Sequence, residues 1–82
     1  IDVDHFKTYN DSNGHQAGDD ALIRVARCLT ESVRGDTLVA RYGGEEFAIV
    51  APGCGLEDIR HLGERIRAHV EDAASGMTVS IG

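Results

Sequence analysis

Two stretches of the chain repeat apolar residues at helical spacing. Leu22, Val25, Ala26, Leu29 and Val33 share one face of a helix over Asp19–Val33, and Ile59, Leu62, Ile66 and Val70 do the same over Leu56–Val70. Asp19 and Asp20 would open the first helix, where acids suit the positive end of the helix dipole, and Gly35 would end it. Met77, Val79 and Ile81 alternate instead, which predicts a strand over Met77–Ile81. Ile1–Asp4 reads as the end of a strand. Leu38–Tyr42 and Glu46–Ala51 read as the two arms of a hairpin, followed by a break at Pro52–Gly55. Thr8–Gly18 is rich in Asn, Asp, Ser and Gly and reads as a loop.

The resulting order, β-α-β-β-α-β, is the split βαβ pattern of a ferredoxin-like, palm-type α+β fold with an antiparallel sheet. The right-handed crossover rule leaves a gap for the third strand between the first two. The end of the first strand should therefore lie beside the beginning of the third.

The chain has 82 residues, enough for one domain of marginal stability, and its 41% hydrophobic content suffices for a core. A net charge of −6 argues against a nucleic-acid-binding surface and against direct contact with anionic lipid. Two cysteines do not make a disulfide scaffold, which makes a cytoplasmic location the simpler expectation. No apolar run is long enough to span a membrane. The chain opens without Met and stops after a strand-like run, so both ends read as cuts through a larger domain, with residues 1–82 a partial one.

The chemistry concentrates in Arg41-Tyr42-Gly43-Gly44-Glu45-Glu46-Phe47. Gly43 and Gly44 predict a tight turn with positive φ at both residues. A turn does not account for two adjacent acids where a strand begins, because like charges repel and Glu is depleted in strands. A bound cation would remove that cost. The topology brings Asp2 toward Glu45 and Glu46, and a set of three carboxylates suits Mg²⁺ completed by water and phosphate oxygens. Two such ions would activate a hydroxyl and stabilise a leaving pyrophosphate. A solvated acidic hairpin tip is the plainer alternative.

Other residues fit a nucleotide. A carboxylate such as Asp19 can accept the N1–H and 2-amino group of guanine, and the Asn10 amide can donate and accept at the same edge. Lys7 is placed to meet a phosphate or to pair with Asp4. His15 lies within reach of a ligand or of helix packing. His61 and His69 read as surface residues without a matching carboxylate. No P-loop is present, the register of a calcium loop at Asp11–Gly14 fails, and Arg34-Gly35-Asp36 is too short a match to a cell-adhesion tripeptide to carry meaning.

Gly43-Gly44-Glu45-Glu46-Phe47 resembles the signature of GGDEF domains, the diguanylate cyclases, in its Glu variant. The stretch from Asp2 to Asp19, with Asp4, Phe6-Lys7, Asn10-Asp11, Gly14-His15 and Gly18 at matching spacing, resembles the family's first block. Thr78-Val79-Ser80-Ile81-Gly82 is similar to the strand after the second helix. The resemblance implies condensation of two GTP into cyclic di-GMP by two facing domains, with Mg²⁺ or Mn²⁺. It implies that Asp2, the Val3 carbonyl and Glu46 hold metal, and that Glu45 is a ligand, a base, or both. Asn10 and Asp19 would read guanine. Lys7 and the His5–Phe6 backbone would approach the phosphates, and Gly43 and Gly44 would let the hairpin pass close to the nucleotide. A catalytically silent member that binds GTP or a partner, and a related mononucleotidyl cyclase, are the alternatives. Arg34-Gly35-Asp36-Thr37 departs from the R-x-x-D of product-inhibited members, with the acid one residue early, which predicts weak feedback.

Overall fold

The computed structural model describes residues 1–74 and 76–82. Seven elements follow in order: β1 (Asp2–Val3), α1 (Phe6–Asn13), α2 (His15–Ser32), β2 (Leu38–Arg41), β3 (Phe47–Val50), α3 (Leu56–Ala73) and β4 (Val79–Ser80). β2 pairs antiparallel with β3, in a register that sets Leu38 opposite Val50 and Arg41 opposite Phe47. β1 pairs antiparallel with β4, Asp2 opposite Ser80 and Val3 opposite Val79. An antiparallel bridge between Asp2 and Glu46 joins the two ribbons. The spatial order is therefore β2-β3-β1-β4, with β3 between β1 and β2 as expected from the chain and β4 on the far side of β1.

The pleat sorts residues between the two faces. Val3, Phe47 and Val79 are buried, while their chain neighbours Asp2, Glu46 and Ser80 are exposed. The buried face packs against α2 and α3, which also pack on each other. Leu22, Val25 and Leu29 of α2 and Ile66 and Val70 of α3 fill the space between, as their spacing predicts. Each such side chain contributes roughly 2 kcal/mol by leaving water. Ile59 was expected on that buried face but is 41% exposed; it lines an open cleft with Ile1, Phe47 and Ile49 at the first turn of α3. Leu38 and Val50 face away from the helices and stay more than half exposed.

The stretch expected as the loop Thr8–Gly18 is helical instead. α1 occupies Phe6–Asn13, and α2 begins at His15 rather than Asp19. Polar composition argues for a loop only where nothing packs, and here Phe6 and Tyr9 lie against the core. The Asn13 amide also caps the Tyr9 carbonyl at 2.9 Å, and Gly14 N–H closes on the Asn10 carbonyl at 2.8 Å. Gly14, at φ 90°, turns the chain between the two helices in a conformation that disfavours other residues. One consequence is that α2 has no acid in its first turn, so Asp19 does not serve the helix dipole.

Candidate active site at the acidic sheet edge

Asp2 and Glu46 are backbone partners on adjacent antiparallel strands. Val3 N–H donates to the Glu45 carbonyl at 3.1 Å, and Phe47 N–H donates to the Ile1 carbonyl at 2.8 Å. Partners in such a row project to the same face of a sheet, so both carboxylates stand on the side away from the helices. Asp2 and Glu46 are exposed, Glu45 is half-buried, and Val3 is buried.

The loop carrying the two glutamates is held differently from the expectation. Neither Gly43 nor Gly44 has a positive φ. The loop instead spans Tyr42 to Glu46, with the Glu46 carbonyl accepting from Tyr42 N–H at 2.8 Å and Gly43 N–H at 3.2 Å. The Arg41 guanidinium clamps it, donating to the Gly43 carbonyl at 3.1 Å and the Gly44 carbonyl at 2.7 Å. At Gly43 the Glu46 carboxylate comes close: a β-carbon there would stand 3.2 Å from it, so the carboxylate would have to shift slightly. Nothing lies within 4 Å of a β-carbon at Gly44. Arg41 heads the segment noted in the chain but was given no role of its own there; its position two residues before the glycines was the available signal.

Asp4 does not pair with Lys7. Its carboxylate accepts the Thr78 hydroxyl at 2.8 Å and the Ser80 hydroxyl at 2.6 Å, and the Ser80 bond first and the Thr78 bond second hold its pKa below the ordinary value. Lys7 is exposed, and among the described residues it makes no ion pair. His5, between β1 and α1, adopts a left-handed conformation at φ 55° and ψ 28°. It is the one non-glycine residue with positive φ among those described. α1 has no side-chain cap at its N-terminus, so no side chain satisfies its first-turn amides.

Asn10 and Asp19 belong to neighbouring helices. The Asn10 amide is 3.0 Å from His15 Nδ1, and its Oδ1 lies over Gly18, where a β-carbon would overlap it. Asp19 is exposed and lines a cavity of about 540 Å³ between α2 and the β2–β3 ribbon, with Leu22, Arg41 and Phe47 in its wall. Asn10 and the acidic edge do not line that cavity. Arg34, Asp36 and Thr37 border a separate cleft that Arg65 also lines. His69 lies 3.1 Å from Glu31 of α2, a neighbour only the tertiary structure supplies, and His61 lies 4.0 Å from Glu57 one turn back on α3.

Among the described residues no three His, Cys, Asp or Glu side chains gather as a ready-made metal cage. The donor set nevertheless fits a hard cation. Two exposed carboxylates in one row, Asp2 and Glu46, match an ion that takes one or two carboxylates and fills the rest of its shell with water and phosphate.

Residues 1–81 match the family described as diguanylate cyclase, GGDEF domain. The chain belongs to the GGDEF family. It is 45% identical over 82 residues to the response regulator PleD of Caulobacter vibrioides, covering all of this chain and 18% of that protein. Among solved structures, the GGDEF domain of DgcB from Caulobacter crescentus in complex with c-di-GMP superposes with a TM-score of 0.87 at 35% identity, covering 96% of this chain and 52% of that one. The active GGEEF domain of a diguanylate cyclase from Vibrio cholerae superposes with a TM-score of 0.83 at 32% identity, over 94% of this chain and 53% of that one. The chain thus spans about half of these solved domains and about a fifth of the curated relative. No helix among the described residues is long and apolar enough to cross a membrane.

Proposed function

We propose that the protein carrying this GGDEF domain is a diguanylate cyclase acting in the cytoplasm. Two GTP molecules, one in each of two facing domains, condense to cyclic di-GMP. Each 3′-hydroxyl oxygen bonds to the other nucleotide's α-phosphorus, the bond to the departing pyrophosphate breaks, and the hydroxyl proton passes to a base. The observation that carries this reading is the Asp2–Glu46 bridge, which sets two carboxylates side by side on one sheet face in a chain of this family.

Each residue then has a task that its position permits. Asp2 and Glu46, with the Val3 carbonyl, would hold Mg²⁺ or Mn²⁺. When bound, the ion supplies charge neutralisation at the α-phosphate and a lowered pKa for the attacking hydroxyl. Glu45, half-buried beside that row, is the candidate base or a further ligand. The Arg41 clamp and the open space over Gly43 hold the loop so that the Glu46 side chain can lie across it. Phe6 and Lys7, in the uncapped first turn of α1 that follows the left-handed His5, would approach the phosphates. Asn10 and Asp19 read guanine.

Incubating the full-length protein with GTP and Mg²⁺ or Mn²⁺, then separating the nucleotides by chromatography, tests the reading. Cyclic di-GMP is the expected product. Retained GTP without any dinucleotide would move the assignment to a silent nucleotide-binding sensor.

A further inference from the structure

His15 has no role in the mechanism above, yet among the described residues its ring makes the one hydrogen bond to the Asn10 side chain. Its ring follows Gly14 directly, at the first position of α2, and is exposed, so packing does not account for its placement. The contact runs from the Asn10 amide nitrogen to Nδ1 at 3.0 Å. An amide nitrogen can only donate, so Nδ1 accepts and the proton of the neutral ring sits on Nε2. At the other end of the same amide, Oδ1 lies over Gly18 in space that any side chain would fill. The Asn10 Cγ would be 3.0 Å, and the Phe6 ring 3.2 Å, from such a β-carbon. The amide is therefore defined from both ends: an acceptor fixes its nitrogen, and a missing β-carbon makes room for its oxygen.

We propose that His15, with Gly18, is a positioning and specificity-determining element that fixes which end of the Asn10 amide donates to the nucleobase. This rests on the guanine-reading role given to Asn10 above. An Asn NH₂ group has two hydrogens. With His15 holding one, the second remains as a donor, and guanine presents acceptors at O6 and N7. A turned amide would offer its oxygen instead, which suits the 6-amino donor of adenine. His15 thus biases the site toward guanine without touching it.

The test uses the full-length protein and compares GTP with ATP. His15→Phe keeps a ring but removes the acceptor. His15→Asn removes the ring but keeps an acceptor at the δ position. His15→Phe should raise KM for GTP about tenfold with kcat little changed, and lower the preference for GTP over ATP by a similar factor. His15→Asn should recover most of both. In an Asn10→Ala background His15→Phe should add nothing, because its whole effect passes through the amide. A GTP KM within twofold of the parent in His15→Phe overturns the proposal. So does an equal defect in His15→Asn, or a full additional loss in the Asn10→Ala background. Equilibrium binding of GTP and ATP to the same variants separates this idea from the cyclase reading. A protein that binds GTP but forms no dinucleotide defeats the cyclase reading alone, and the affinities of the variants still decide on His15. A protein that binds no guanine nucleotide overturns both.

Discussion

The acidic edge and the Asn10 corner are built by opposite means. At the edge, backbone hydrogen bonds between β1 and β3 decide the neighbours, and the pleat then turns Asp2 and Glu46 to the same face. At the corner, side chains decide: Asn10 is held by His15 and admitted by Gly18, across two helices meeting at one glycine turn. A ladder tolerates most changes of side chain, because its geometry lies in the main chain. A corner made of side chains has no such reserve. Substitutions at the edge should therefore alter chemistry with little change in fold, whereas those at the corner should alter selectivity.

The most severe test of the first half is Glu46→Gln, which keeps the shape and removes one charge. In the full-length protein, turnover should fall by at least about 100-fold, with metal affinity reduced and circular dichroism unchanged. Normal turnover would remove Glu46 from the site. A lost fold would show that the edge is not held by its backbone.

A smaller effect separates the two glycines. Gly43→Ala would place a β-carbon 3.2 Å from the Glu46 carboxylate and displace it, so activity should fall by about tenfold with thermal stability nearly unchanged. Gly44→Ala meets nothing within 4 Å and has no positive φ, so its activity should match the parent. Equal losses in both variants would show that the loop needs glycine for backbone freedom after all.

The smallest expected effect concerns Asp4, which ties β1 to the Thr78–Ser80 end of the sheet. Its folded-state pKa lies below the ordinary value of 3.8, through the Ser80 and Thr78 hydroxyl bonds. A depressed carboxylate contributes stability that is complete above the unfolded value and lost as pH falls through the folded one. Thermal melting between pH 6 and pH 2 should show Ser80→Ala less stable than the parent at pH 6, with the gap closing in acid. A gap that is constant with pH would exclude the hydroxyl bond as its source.

Much of this molecule is legible in local patterns. The faces of α2 and α3, the alternation into β4 and the acids after two glycines are all visible within windows of a few residues, and helix faces and strand pleats have fixed periods. α1 was not legible, because Phe6 and Tyr9 become a helix face only once a core exists to receive them. The roles of Gly43 and Gly18 were hidden for a related reason. A side chain passes over each of them, Asn10 tightly over Gly18 and the Glu46 carboxylate more loosely over Gly43. Chain chemistry alone determined that acids cluster at the start of the third strand and that topology would draw Asp2 toward the Glu45–Glu46 loop. Only the tertiary structure decided that Asp2 meets Glu46 in register, that Asp4 turns to two hydroxyls instead of Lys7, and that His15 takes the amide of Asn10. Those choices depend on contacts between segments far apart in the chain, and the packed core that selects among them is a property of no single window.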